Sequence, residues 1–454
     1  MADSEVREPV RMSGFESLMW DLERDPRLSS SFANLSVFDR PPDRATFRAR
    51  MARAIEAVPR LGQRVVESRH PLEHPEWVDD EHLDLDHHLR WVDLGGDASM
   101  AEVEELAATL SRQPFDRERP LWEFVTIEGL RGGRAAMLQR MHHTITDGEG
   151  GIRLSVQFLD LEREPAEQPI TQRPERSERP RSTADAHETA ADAEESPWWR
   201  KVPELGQLAA SGVRQVRVGR RRSPLWTERS LRRWFGTTAL ALDDVRTAAH
   251  HLGGSINDLF ITGATAAAGD LHAAAGHPVD ELRVSMPIST RHDRSAGGNA
   301  FSPTQTLVPT GDMEPSVRFA RIHTLLDGVK AERVVGALEG TAAAVSLLPP
   351  LVTLRSGQYL AGSVDFVCSN VRAAPFDLFI GGALMEANYP LGPLAGTAFN
   401  LTTMSYRGWL FLGLLVDPAA VDDPADLLVR LELAYSELLA AGGVSSPSRF
   451  PKEP

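Results

Sequence analysis

Apolar positions recur along this chain with two periods, one of three to four residues and one of two, and their succession predicts alternating helices and strands. Residues 15–22 and 45–58 have helical spacing. In the second, Phe47, Met51, Ala54 or Ile55, and Val58 form one stripe behind Asp43, a capping side chain, and Pro59 ends the helix. Between them, residues 31–38 alternate as a strand does. Residues 102–111 are helical, with Val103, Leu106 and Leu110 aligned. A loop from Pro114 to Trp122 then closes into a strand holding Phe124-Val125-Thr126-Ile127, and 135–139 reads as a short buried strand. Residues 152–161 can start a helix with Leu154, Phe158 and Leu161 on one face.

After Leu161 the pattern stops. From 162 to 196 the residues are mostly Glu, Pro, Arg, Ser, Thr and Ala, and Ile170 is the only large apolar one. Such a segment cannot bury enough surface to fold alone and is expected to be a disordered or extended linker. Beyond it, Trp198 and Trp199 open a segment to Arg222 in which Leu205, Leu208, Val213 and Val216 interleave with Arg214, Arg217 and Arg220. That composition suits a helix with a solvated basic face equally well as an interfacial membrane anchor. The second half predicts a strand at 234–242, a helix capped by Asp243-Asp244 and ended by Gly253-Gly254, and a long Ala-rich helix at 259–276 behind Ser255-Ile256-Asn257-Asp258. A strand follows at 283–288, then a Gly-rich loop at 289–302 and a helix at 316–336. A hydrophobic segment, 340–354, is broken at Pro349-Pro350; strands are expected at 364–367, 384–387, 399–405 and 409–416, and a last helix at 424–441. The fold class is α/β (α+β). No run of eighteen uninterrupted apolar residues occurs, so a membrane would be met from one side.

The length of 454 residues suggests two or three domains. Hydrophobic content of 42% and charged content of 25% are ordinary for a globular protein, and 64 carboxylates against 49 lysines and arginines argue against a nucleic-acid binder. One cysteine, Cys368, rules out an internal disulfide and fits a reducing compartment. The acidic start, Met1-Ala2-Asp3-Ser4-Glu5, has no apolar core and is not expected to be a secretory signal.

Chemistry concentrates in Met141-His142-His143-Thr144-Ile145-Thr146-Asp147-Gly148-Glu149-Gly150-Gly151. A strand delivers two imidazoles to its end, and Asp147-Gly148 signals a turn. One imidazole near its unperturbed pKa can take a proton from a hydroxyl or amine, and Asp147 can fix the geometry through the backbone or through Arg60 or Arg64. Histidine doublets are more often structural, and His87-His88 and His250-His251 are two such controls within the chain. His143 and Asp147 could both bind a metal, but no HExxH, paired cysteines or third ligand accompany them, so no metal is expected. Trp122 could line an acyl site or pack a corner. Asn257 or Asp258 could be no more than a helix cap. There is no GxSxG elbow; Gly253-Gly254-Ser255-Ile256-Asn257 lacks the last glycine.

His142-His143-Thr144-Ile145-Thr146-Asp147-Gly148 resembles the HHxxxDG signature of the CoA-dependent acyltransferase superfamily, which includes chloramphenicol acetyltransferase and peptide-synthetase condensation domains. The wider likeness is to the bacterial wax ester synthase/diacylglycerol acyltransferase family. It is carried by Pro120-Leu121-Trp122-Glu123, Asn257-Asp258, the run from Met286-Pro287-Ile288-Ser289 to Gly298-Asn299, and Ser369-Asn370-Val371. The resemblance implies two similar chloramphenicol-acetyltransferase-like domains around a shared channel, here 1–161 and 197–454 with 162–196 between them. It implies His143 as general base, His142 and Asp147 as supports, Gly148 as the turn residue, Asn257 as oxyanion donor, and Pro120, Leu121 and Trp122 as substrate-binding. Acyl-CoA is the implied co-substrate, with no bound cofactor, and diacylglycerol or a long-chain alcohol the acceptor. The implied setting is the cytoplasm, or the inner membrane face or lipid droplets as a peripheral protein; the basic segment 197–222 could also attract CoA phosphates. A thioester carries a good leaving group, so a base and an oxyanion donor suffice without an enzyme nucleophile. Glu149 is an unusual charge directly after Asp-Gly. A different alcohol or amine acceptor, or a non-catalytic lipid-surface protein, are the rival expectations.

Overall fold

The computed structural model describes residues 9–146 apart from 69, 71 and 72, then 154–164, 223–289, 301–332, 350–448 and Phe450. Residues 1–163 and 220–454 form one compact unit, in which everything below lies. The linker and the basic segment 197–222 fall outside the described residues, apart from 162–164.

The first half contributes strands β1 (Val10–Arg11), β2 (Ser31–Phe38), β3 (Gln63–Val66), β4 (Glu76–Asp79), β5 (Leu89–Ala98), β6 (Trp122–Leu130) and β7 (Ala135–His142). Its helices are α1 (Gly14–Leu22), α2 (Arg44–Ala57), α3 (Leu85–His88) and α4 (Met100–Ser111). The second half contributes β8 (Trp234–Ala241), β9 (Glu281–Ser289), β10 (Phe301–Pro309), β11 (Phe366–Arg372), β12 (Phe379–Ile380), β13 (Ala383–Leu391), β14 (Phe399–Tyr406) and β15 (Trp409–Val416). Its helices are α5 (Leu242–His251), α6 (Ile256–Ala274), α7 (Pro315–Glu332), α8 (Pro350–Ala361) and α9 (Pro424–Ala441). Two mixed six-stranded sheets result, ordered β12-β13-β2-β7-β6-β5 and β10-β9-β11-β14-β15-β8, beside a small sheet β1-β4-β3. Each large sheet has its own apolar core.

The sheets do not follow the linear halves. Strand β13 leaves the second half and pairs antiparallel with β2, with Asn388 opposite Ser36 and Leu391 opposite Ala33. It thereby covers the edge that β2 would otherwise leave open. While doing so it lies against the second sheet: Tyr389 meets Phe411 of β15 edge-on at 5.1 Å. Gly413 makes that approach feasible, since a Cβ there would stand 1.9 Å from the Pro390 carbonyl oxygen. A polar chain crosses the same seam, from Gln139 to Ser36 (3.1 Å), to Asn388 (3.1 Å) and on to the Met404 sulfur (3.2 Å). Residues 379–391 thus complete the sheet built mainly by the first half.

Three local expectations are corrected. Among the described residues, the helix that 152–161 can start does not extend past Ser155: the chain turns there, Leu154 and Phe158 are buried, and Leu161 is exposed while Asp160 bridges to Phe379. Asp243 and Asp244 lie inside the first turn of α5, whose N-cap is Ala241 without a side-chain bond. The cap of α6 is Ser255, in a reciprocal capping box with Asp258, so Asn257 is not used as a cap.

His88, one of the control histidines, is a core residue. It is 1% exposed, stacks on Trp122 at 4.4 Å, and donates from Nδ1 to the Trp122 carbonyl at 2.7 Å. Burial, only partly offset by that hydrogen bond, pushes its pKa down from 6.5 to about 4. Between those values the unfolded chain binds a proton that the folded chain refuses, so this contribution is intact above pH 6.5 and lost as pH falls toward 4. The loss at this one site is roughly 3 kcal/mol. Melting temperatures across this range should fall with acid, with a shallower slope in His88→Phe; equal slopes would contradict the assignment.

Candidate active site

Strand β7 is buried at every position, which makes it a rigid carrier for the histidines at its end. The strand stops at His142, and a turn begins with the Ile145 N–H donating to the His142 carbonyl at 2.9 Å. Both histidines are held by their backbones from neighbouring segments. His142 N–H donates to the Leu121 carbonyl at 3.0 Å, just before β6, and His143 N–H donates to the Ser30 carbonyl at 3.2 Å, just before β2. His142 is buried, whereas His143 is half-buried with its ring 4.6 Å from that of Phe32.

The His142 ring is fixed at both nitrogens. Nδ1 accepts from the Thr144 N–H at 3.2 Å and lies 2.7 Å from the Thr144 hydroxyl, so Nε2 carries the proton and donates to Glu23 at 3.0 Å. Glu23 also accepts from the Ser29 hydroxyl at 2.6 Å and the Ser30 N–H at 2.9 Å. Burial raises the pKa of this carboxyl, but the bonds from His142, Ser29 and Ser30 outweigh it and hold the pKa below the usual carboxylate value. Ser30 thus gives its N–H to Glu23 and its carbonyl to His143. One ionised glutamate ties both histidines to the start of β2.

Glu23→Ala should strand the His142 Nε2–H and the Ser30 N–H, costing about 3 kcal/mol of stability. It should also lower kcat through the loosened Ser30–His143 contact. Glu23→Gln keeps an acceptor and should recover most of both. Thermal unfolding beside steady-state rates checks this: a kcat unchanged in the alanine variant would show that Glu23 does not position His143.

The segment Pro120-Leu121-Trp122 lies against the core. All three residues are buried, Trp122 at 1% exposure, with its indole N–H donating to the Leu61 carbonyl at 2.8 Å. Their link to the site is the Leu121 carbonyl under His142. Arg60 lies over Trp77 at 4.1 Å and reaches Glu16 at 3.9 Å, and Arg64 reaches Glu118 at 3.6 Å. Asp147, Gly148 and Glu149 lie outside the described residues, and with them any pairing of Asp147.

Asn257 is the second residue of α6, at the positive end of a 19-residue helix. Its side-chain oxygen accepts from the Asn370 amide of β11 at 3.3 Å. Asp258 beside it is fully buried, accepts from Ser255 N–H at 2.8 Å, and meets His323 Nδ1 at 2.9 Å, so its role is to hold the helix start. Glu23, Ser30 and Phe32 carry no sequence signal that separates them from their neighbours; Asn370 lies in a stretch quoted for the resemblance. No group of three or more metal-binding side chains forms among the described residues.

A histidine pair clamped at the end of a central strand, in a two-sheet fold linked by a crossing strand, here belongs to an acyltransferase. The chain belongs to the wax ester synthase/diacylglycerol acyltransferase family: it matches the family's catalytic domain over residues 12–260 and its C-terminal domain over 297–439. A relative from Mycobacterium tuberculosis, provisionally named a diacylglycerol O-acyltransferase, is 32% identical, covering 96% of this chain and 92% of its own length. The wax ester synthase/diacylglycerol acyltransferase of Marinobacter aquaeolei shares the fold at TM-score 0.68 and 21% identity, covering 96% of this chain and all of that one. A starter condensation domain of rhizomide synthetase, solved with C8-CoA, has TM-score 0.59 and 15% identity, covering 97% and 96% of the two chains.

Proposed function

We propose that this acyltransferase moves a long-chain acyl group from acyl-CoA to diacylglycerol, to a long-chain alcohol, or to both, with His143 as general base in a direct transfer. The observation that carries the proposal is the clamp on His143, held through Ser30 by Glu23 while its ring is left half-buried beside Phe32. The names of the mycobacterial and Marinobacter relatives support the acceptors, and the C8-CoA complex of the condensation domain supports the donor.

His143 takes the proton from the acceptor hydroxyl as its oxygen attacks the thioester carbonyl. The Asn257 amide, backed by the N-terminus of α6, steadies the oxygen of the tetrahedral intermediate. The C–S bond then breaks, and the imidazolium returns its proton to the departing thiolate. His142 donates permanently to Glu23 and is a positioning group. No described helix is long and apolar enough to cross a membrane.

Purified protein supplied with palmitoyl-CoA and an equimolar mixture of diacylglycerol and hexadecanol should yield triacylglycerol, wax ester or both on chromatography. Neither product, with turnover on another alcohol or amine, would overturn the neutral-lipid assignment.

A further inference from the structure

A pocket opens beside the histidine pair where β2, the end of α4, the segment before β8 and the end of β13 converge. Its walls include Ser31, Phe32, Arg112, Leu231, Arg233 and Leu394. Phe32 connects it to the reacting group, since the same residue's ring lies against His143.

The charges in this pocket do not balance. Its one carboxylate, Glu23, is taken up by His142, Ser29 and Ser30. Arg140 is neutralised by Glu123 at 2.7 Å. Arg112 and Arg233 have no ion-pair partner among the described residues. Arg112 is exposed and follows the last turn of α4, where the helix dipole favours a cation. Arg233 is half-buried, and its Nη1 donates to the carbonyls of Ser230 (3.2 Å) and Arg232 (2.8 Å). Its nearest opposite charge, Asp417, is occupied by the Ser230 N–H at 2.6 Å, the Ser230 hydroxyl at 2.5 Å and the Ala419 N–H at 3.0 Å. Burial lowers the pKa of Arg233, partly opposed by Asp417, so the guanidinium is short of favourable charge where it stands. A partly desolvated guanidinium with open donors, beside a second one, suits a phosphate oxygen.

We propose that this pocket seats the phosphate-bearing end of the thioester donor, with Arg112 and Arg233 as its phosphate ligands. The inference rests on the acyl-CoA reading above and names the residues that would select CoA. Leu231, exposed at the rim, supplies apolar contact beside the charges.

Arg112→Gln and Arg233→Gln, singly and together, would be assayed with palmitoyl-CoA and with palmitoyl-N-acetylcysteamine, which has the same reacting thioester and no phosphate. Each substitution should raise KM for palmitoyl-CoA about tenfold, the loss of one charge-assisted hydrogen bond, with kcat and the KM of the truncated donor little changed. Equal changes for both donors would mean a structural role and overturn the proposal, as would no change for either. Because Arg112 is exposed, its variant guards against a folding failure at Arg233. Sedimentation with phosphatidylglycerol vesicles separates the other phosphate source: lost vesicle binding with an unchanged KM for palmitoyl-CoA would assign the arginines to a lipid headgroup and overturn the donor assignment. Should wild type turn over neither thioester, the proposed function fails, yet calorimetric binding of CoA still tests the pocket. Binding that weakens about tenfold in each variant supports it, and binding that is absent or unchanged does not.

Discussion

Replacing His143 with alanine is expected to lower kcat by roughly 10²–10⁴-fold, the range spanned by a general base. The fold should survive, because the bonds that hold this position are made by backbone: His143 N–H to Ser30 and its neighbour's N–H to Leu121. The ring itself is half-buried, 4.6 Å from that of Phe32. His142→Ala should behave differently. It removes a buried ring that accepts from Thr144 and donates to Glu23, so it should lower the melting temperature as well as activity. Rates and unfolding curves of the two variants together separate the reacting imidazole from the supporting one. An equal loss of stability in both would contradict the division of roles.

Asn257→Ala should cost roughly 10²–10³-fold in kcat with little change in KM, as for removal of one oxyanion donor. The substitution leaves the start of α6 intact, since the capping box is made by Ser255 and Asp258. Asn370→Ala should have a smaller effect in the same direction, because Asn370 only orients the Asn257 amide through its oxygen. A KM effect without a kcat effect in Asn257→Ala would place this residue in substrate binding instead of charge stabilisation.

Local periodicity was enough to recover most elements. The strand at 31–38, the Asp43-capped helix, the long Ala-rich helix and the terminal helix at 424–441 match the structure closely, because each carries its own apolar stripe or cap. The family was legible from the histidine motif and its companion stretches, which are short and local. What escaped was long-range. Residues 384–387 read as a short strand, but nothing in them says that it extends over 383–391 and pairs with β2, some 350 positions earlier, instead of with its own half. Glu23 is one acidic residue in the run Asp21-Leu22-Glu23-Arg24-Asp25, and only the return of β7 beside β2 selects it. Trp122 was open to two readings from sequence, and its stacking on His88 and its bond to the Leu61 carbonyl could not be read there because both partners lie far from it in the chain. Arg112 and Arg233 lie far apart in the chain and are joined only by the pocket.

Thiol release from palmitoyl-CoA, followed for wild type and His143→Ala with and without diacylglycerol or hexadecanol, tests direct transfer on His143 most simply. Direct transfer predicts no stoichiometric burst of free thiol before an acceptor is added, steady release once it is, and collapse of that release in the variant. A burst without acceptor would point to an acyl-enzyme, and acceptor-dependent release that survives in His143→Ala would place the chemistry on another residue.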